Sequence, residues 1–354
     1  MSLSSPRPAS RATLARAVVA GTASLALGLT GVALGTSRAD AAPRFGSSSG
    51  ITVKSVKPIS QRTVEVEVTT AAVAPHTTHS QAVRLRVTLP KSYDSSTGRR
   101  YPVLYLFHGQ DGRYSDWTSG YNPAKNQLGG DLETITANQE LIVVTPEGGR
   151  AGWYTDWVNQ ASGAQSWETF HVKQLIPFID ANLRTKAEKK HRGIAGLSMG
   201  GFGAAHYATR YPDRFNYLGT FSGGIDLEDQ RIRGAVIGSS ILQGFNPPDG
   251  SFGPVVWPMD GNWIRHNPVR NAGNLKGMTV SLYAGSKQEL YEQGAGWSTH
   301  TFSGALTRAG VQHRWDMYGQ PGQIGRYNCD GGHNFGCWNM ALNKDLPRLM
   351  GAIA

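Results

Sequence analysis

Gly196-Leu197-Ser198-Met199-Gly200 constrains this chain more than any other stretch, because its flanks give it a structural setting. Residues 191–195 read as the end of a short buried strand. Residues 201–211 (G-F-G-A-A-H-Y-A-T-R-Y) read as a helix with small residues on its packing side, ended by Pro212. A G-x-S-x-G pentapeptide between a strand and a helix is where a serine sits on a strained turn with its hydroxyl exposed. A Cβ at Gly196 or Gly200 would collide where the strand and helix nearly touch. The pattern predicts Ser198 as a nucleophile. The competing reading is a glycine-rich turn carrying an ordinary serine, which leaves the features below unexplained.

The rest of the chain supplies a matching architecture. Residues 51–89 contain three alternating stretches (I-T-V-K-S-V, T-V-E-V-E-V and V-R-L-R-V-T-L), the pattern of antiparallel strands with one wet face. Residues 103–107, 141–145, 193–195, 218–221 and 280–284 are short apolar runs without alternation, suited to parallel strands covered on both faces. A last strand is expected at 311–318. Helices are expected at 167–183, with Phe170, Leu175, Phe178, Ile179 and Leu183 on one stripe, and at 298–309 and 338–350. The order predicts a doubly wound, mostly parallel α/β sheet with antiparallel N-terminal strands. Residues 42–50 read as a flexible leader and 51–354 as a single domain. Within it, the Pro- and Gly-rich stretch 226–275 reads as an excursion able to cap a site.

Residues 1–41 read as a secretory signal. Arg7, Arg11 and Arg16 precede an apolar run rich in Ala, Gly, Leu and Val, and Ala39-Asp40-Ala41 gives a small-x-small cleavage site. An uncleaved anchor is the alternative; no later segment approaches the length of a membrane span. The expected location is therefore secreted or at the cell envelope. The formal charge of +10 falls to +7 once four Arg and one Asp leave with the signal. That balance suits an anionic envelope, and no basic cluster interleaved with aromatics argues for nucleic acid.

A serine hydroxyl needs a histidine base, an acid to orient it, and donors for the oxyanion. His333 is the candidate base, in a loop between the last expected strand and the final helix. Cys329 and Cys337 stand four residues to either side. In an exported chain with two cysteines they are expected to form a disulfide, the alternatives being a metal site or a redox pair. Such a short loop gains only ~2–3 kcal/mol from chain entropy, so its use is positional. The acid should follow the strand at 280–284: Glu289 is the first choice and Glu292 the second. Backbone N–H groups of Gln110 and Met199 are the expected oxyanion donors. His108 is a candidate for substrate contact or for a structural hydrogen bond. No metal or cofactor is expected.

These residues carry a family resemblance over about residue 100 to the C-terminus. The elbow G-L-S-M-G-G-F-G-A-A resembles the esterase D branch of the α/β-hydrolases, and the wider pattern resembles the secreted antigen 85 mycolyltransferases. Tyr154-Thr155-Asp156-Trp157 and Trp167-Glu168-Thr169-Phe170 resemble that family's Y-S-D-W and W-E-T-F. Trp257-Pro258 and the 263–268 segment (W-I-R-H-N-P) resemble its W-G-P and W-E-R-N-D-P. The resemblance implies an α/β-hydrolase fold and places Glu289 and His333 at the family's catalytic glutamate and histidine. His108, Asp111, Trp263 and Phe335 are then the candidates for substrate contact. Where the family's sugar-binding loop reads D-G-L-R, this chain has His108-Gly109-Gln110-Asp111, and the family's usual disulfide near 159–165 is absent. Trehalose specificity is thus not implied.

The leading expectation is a serine esterase or acyltransferase acting on a lipid or acylated-sugar ester, with water or a sugar or glycerol hydroxyl as acceptor. A trehalose mycolyltransferase proper is one alternative. A carbohydrate- or matrix-binding protein on a hydrolase scaffold is another, favoured by nine tryptophans and the basic charge. A peptidase has no positive feature.

Overall fold

The computed structural model describes residues 43–122, 129–319 and 326–354. The signal expected at 1–41 lies outside the described residues. A nine-stranded sheet runs in the order β1-β2-β3-β5-β4-β6-β7-β8-β9. Strands β1 (Thr52–Pro58), β2 (Thr63–Thr69) and β3 (Val83–Thr88) pair antiparallel, and β3 meets β5 antiparallel. From there β5 (Ile142–Pro146), β4 (Val103–Phe107), β6 (Arg192–Leu197), β7 (Tyr217–Phe221), β8 (Thr279–Gly285) and β9 (His313–Tyr318) are all parallel. The fold is the expected one. The five residues of β4 are all buried because both sheet faces are covered: Leu104 and Leu106 join one core cluster, Tyr105 and Phe107 the other.

The helices are α1 (Leu132–Ile135), α2 (Ile176–Asn182), α3 (Met199–Arg210), α4 (Gln230–Leu242), α5 (Gly261–Arg265), α6 (Leu290–Arg308) and α7 (Phe335–Ile353). A π-helical segment, Thr169–Leu175, leads into α2 and completes the stripe expected there. Helix α6 starts eight residues earlier than expected at 298, because Gly294 and Gly296, weak helix formers, mask its first turns in the sequence. Helix α7 also starts early, where the Asn334 side chain accepts from the Cys337 N–H at 3.2 Å as an N-cap. Among the described residues, no helix is long and apolar enough to cross a membrane.

Candidate active site

Ser198 stands between β6 and α3 with φ 52° and ψ −120°. A non-glycine residue holds such a conformation only where its surroundings impose it, at about 1–3 kcal/mol. Here they do: Ser198 N–H donates to the Phe221 carbonyl at 2.9 Å, and the Ser198 carbonyl accepts from Gly201 and Phe202. Two positions later the helix passes so close to β4 that a Cβ on Gly200 would lie 2.4 Å from the His108 carbonyl oxygen. The elbow expected from sequence is present in full.

His333 lies in the loop closed by the Cys329–Cys337 disulfide, as expected. Its Nδ1 is 2.8 Å from Glu292 Oε2, so the carboxylate against the ring is Glu292 and not Glu289. Glu289 precedes α6 in extended conformation, and its Oε1 accepts the His333 backbone N–H at 2.6 Å. Glu292 sits in the first turn of the helix, directed at the sheet end and fully buried. The two glutamates divide the work: one holds the loop backbone, the other holds the ring.

Sequence reasoning missed what holds Glu292. Its Oε1 accepts from the Gly285 N–H and, at 2.9 Å, from the Ser222 hydroxyl. Ser222 Oγ in turn accepts from Trp338 Nε1 at 3.1 Å and from the Tyr318 hydroxyl. One donor and two lone pairs are all used. Burial and the Glu292 charge push the Tyr318 phenol well above its usual value, which keeps it a donor. Ser222, just past β7, offers no sequence signal beyond its position.

The backbone N–H groups of Gln110 and Met199 make no hydrogen bond among the described residues, and both residues line a cavity of about 350 Å³ with Ser198 and His333. Trp153, Ile232, Ala235, Leu242, Leu290 and Tyr291 supply apolar wall. No hydrogen bond joins the Ser198 hydroxyl to the His333 ring among the described residues. In substrate-free sites such contacts are commonly long and tighten on binding.

None of the four candidate substrate contacts lines this cavity; Trp263 and Phe335 are corrected to buried packing positions, and His108 takes the structural hydrogen-bonding role that was its alternative. His108 is buried and committed to backbone: Nδ1–H donates to the Gly109 carbonyl at 2.7 Å, and Nε2 accepts from Gly148 N–H at 2.7 Å. Asp111 is exposed, with its Oδ1 2.6 Å from His79 Nε2 and accepting from Gln243 Nε2 at 3.0 Å. Trp263 is fully buried, and its Nε1 donates to the Gly253 carbonyl at 2.9 Å. Phe335 packs edge-on against Trp117 and Trp338. His108, Trp263 and Phe335 are thus packed inward, whereas Asp111 stays exposed on its loop.

A family model described as "Putative esterase" matches residues 77–349. The chain belongs to this esterase family. Among its relatives, Esterase Rv1288 of Mycobacterium tuberculosis is 38% identical over 212 residues, covering 58% of this chain and 43% of the relative. The match thus spans less than half the length of that protein. Diacylglycerol acyltransferase/mycolyltransferase Ag85A of Mycobacterium ulcerans is 27% identical, over 73% of this chain and 76% of the relative. The crystal structure of Mycobacterium tuberculosis MPT51 superposes with a TM-score of 0.59 at 20% identity, covering 77% and 93% of the two chains, a likeness of fold.

Proposed function

We propose that this esterase works through a serine acyl-enzyme, with Ser198 as nucleophile, His333 as general base and acid, and Glu292 as the carboxylate orienting the ring. His333 Nε2 takes the hydroxyl proton as Oγ attacks the ester carbonyl, and returns it to the leaving alcohol. Water or a second alcohol then repeats the sequence in reverse. Gln110 and Met199 backbone N–H groups stabilise the oxyanion, each worth about 3–4 kcal/mol in the transition state. The observation that carries the reading is the strained Ser198 opening into the same cavity as a ring backed by Glu292 at 2.8 Å.

The cavity, near the small end of the ~300–1,000 Å³ range for ligand pockets, suits a compact apolar acyl or alcohol group better than a very long chain. With the altered 108–111 loop, this favours hydrolysis of a modest lipid or acylated-sugar ester over mycolyl transfer to trehalose. Helix α4, in the 226–275 excursion, supplies part of the wall and so acts as the cap. Secretion by the 1–41 signal would deliver the enzyme to envelope esters. Labelling with a fluorophosphonate is the test: the wild type is modified at Ser198 and turns over p-nitrophenyl esters, whereas an unlabelled, inactive wild type points to a binding protein on this scaffold.

A further inference from the structure

We propose that Glu168, His206 and His266 form a site for a divalent first-row transition ion, Zn²⁺ in the first place, set apart from the esterase centre. Their ligand atoms all lie within 4.8 Å of one another. His206 Nε2 and His266 Nδ1 are 3.0 Å apart, and Glu168 Oε2 is 3.9 Å from His206 Nε2. Two nitrogens bound at about 2.0–2.1 Å to one ion stand about 3.0–3.4 Å apart, so the imidazole pair already has the spacing. The carboxylate, 3.9 Å from one ring nitrogen and within 4.8 Å of the other, has to move inward to join them.

The surroundings prepare each ligand. His206 Nδ1–H donates to the Tyr154 carbonyl at 3.0 Å, which fixes the tautomer and leaves the Nε2 lone pair aimed into the cluster. Glu168 Oε1 is held by the Tyr211 hydroxyl and by Arg210 Nε at 3.2 Å, while Oε2 makes no hydrogen bond among the described residues. Two imidazoles and one carboxylate suit Zn²⁺ and its neighbours, and exclude the all-oxygen preference of Ca²⁺ and Mg²⁺.

The three ligands come from separate elements. Glu168 precedes the π-helical segment, His206 lies on α3, and His266 caps α5 within the 226–275 excursion. An ion there pins the excursion to the helix that carries Ser198. His206 is eight residues along α3 from Ser198, about 12 Å, so the ion is structural and takes no part in acyl transfer. Arg210 and Arg265 near the rings oppose a dication, and three protein donors leave the remaining positions to solvent. Micromolar affinity is therefore expected, weaker than a closed four-ligand site.

The test uses the full chain, treated with chelator and dialysed, then titrated with Zn²⁺ or Co²⁺ alone by calorimetry and visible absorption. One equivalent of Zn²⁺ is expected to bind, Co²⁺ to develop d–d bands, and Tm to rise by roughly 5 °C at a hundredfold excess over Kd. His266→Ala should weaken binding at least about a hundredfold and abolish the Tm shift, with p-nitrophenyl ester turnover within twofold of wild type. Glu168→Gln should weaken it about tenfold or more and covers the case in which the histidine variant fails to fold. A wild type that binds no stoichiometric ion overturns the proposal and leaves a His–His hydrogen bond. Binding unchanged in both variants overturns it too, by placing the ion elsewhere.

Discussion

The two halves of the candidate site are built in opposite ways. Ser198 comes from nineteen contiguous residues, 192–210, whose strand, turn and helix are continuous in the chain. The His333 half is assembled from four places: the ends of β7 and β8, the first turn of α6, and the disulfide loop before α7. Yet both depend on main chains touching where no side chain fits. A Cβ on Gly200 would meet the His108 carbonyl at 2.4 Å, and one on Gly285 would meet the Gly331 carbonyl at 1.8 Å. A local motif and a dispersed assembly can therefore be equally tight, though only one is written in consecutive letters.

The contrast can be broken by substitution. Ser198→Ala should lower kcat/KM on a p-nitrophenyl ester by about 10⁴–10⁶-fold with Tm unchanged or raised, since the strained centre loses only its hydroxyl. Next in size, Glu292→Gln should cost about 10³–10⁴-fold in kcat, and Glu289→Gln less than about tenfold. The reverse order would return the orienting role to Glu289. Gly285→Ala should destabilise by about 3 kcal/mol or more, read by chemical denaturation, because neither backbone at that contact can yield cheaply.

Smaller effects sharpen the picture. Replacing Cys329 and Cys337 together by serine should cost about 2–3 kcal/mol by the loop-entropy argument. Activity should largely survive at low temperature, because Glu289 and Gly331 still seat the loop. Ser222→Ala strips a donor from Glu292 and an acceptor from Trp338 and Tyr318. It should destabilise by about 1–2 kcal/mol and slow turnover modestly, measured as kcat with KM little changed.

What could be read from the sequence follows the same division. The alternating stretches, the buried runs and the elbow are local patterns, and they place the sheet and Ser198. The disulfide and His333 were legible because two cysteines bracket one histidine. Glu292 was second choice because motif position favoured the residue before the helix, while the first turn of α6 is what points into the sheet end. Trp263 and Phe335 carry family-like neighbourhoods but are packed inward. Glu168, His206 and His266 share no spacing at all; only the fold brings them together.

The sheet order has a dynamic consequence. Ser198 rides on β6, whose six residues are all buried and hydrogen-bonded to a parallel neighbour on each side. Tyr318, which steadies the far end of the imidazole's support, ends β9, an edge strand whose residues are mostly half exposed. Amide exchange should accordingly be slowest under Ser198 and quicken toward the opposite border. Any yielding to an incoming ester would then fall on the imidazole's side, with the serine as the fixed point against which it moves.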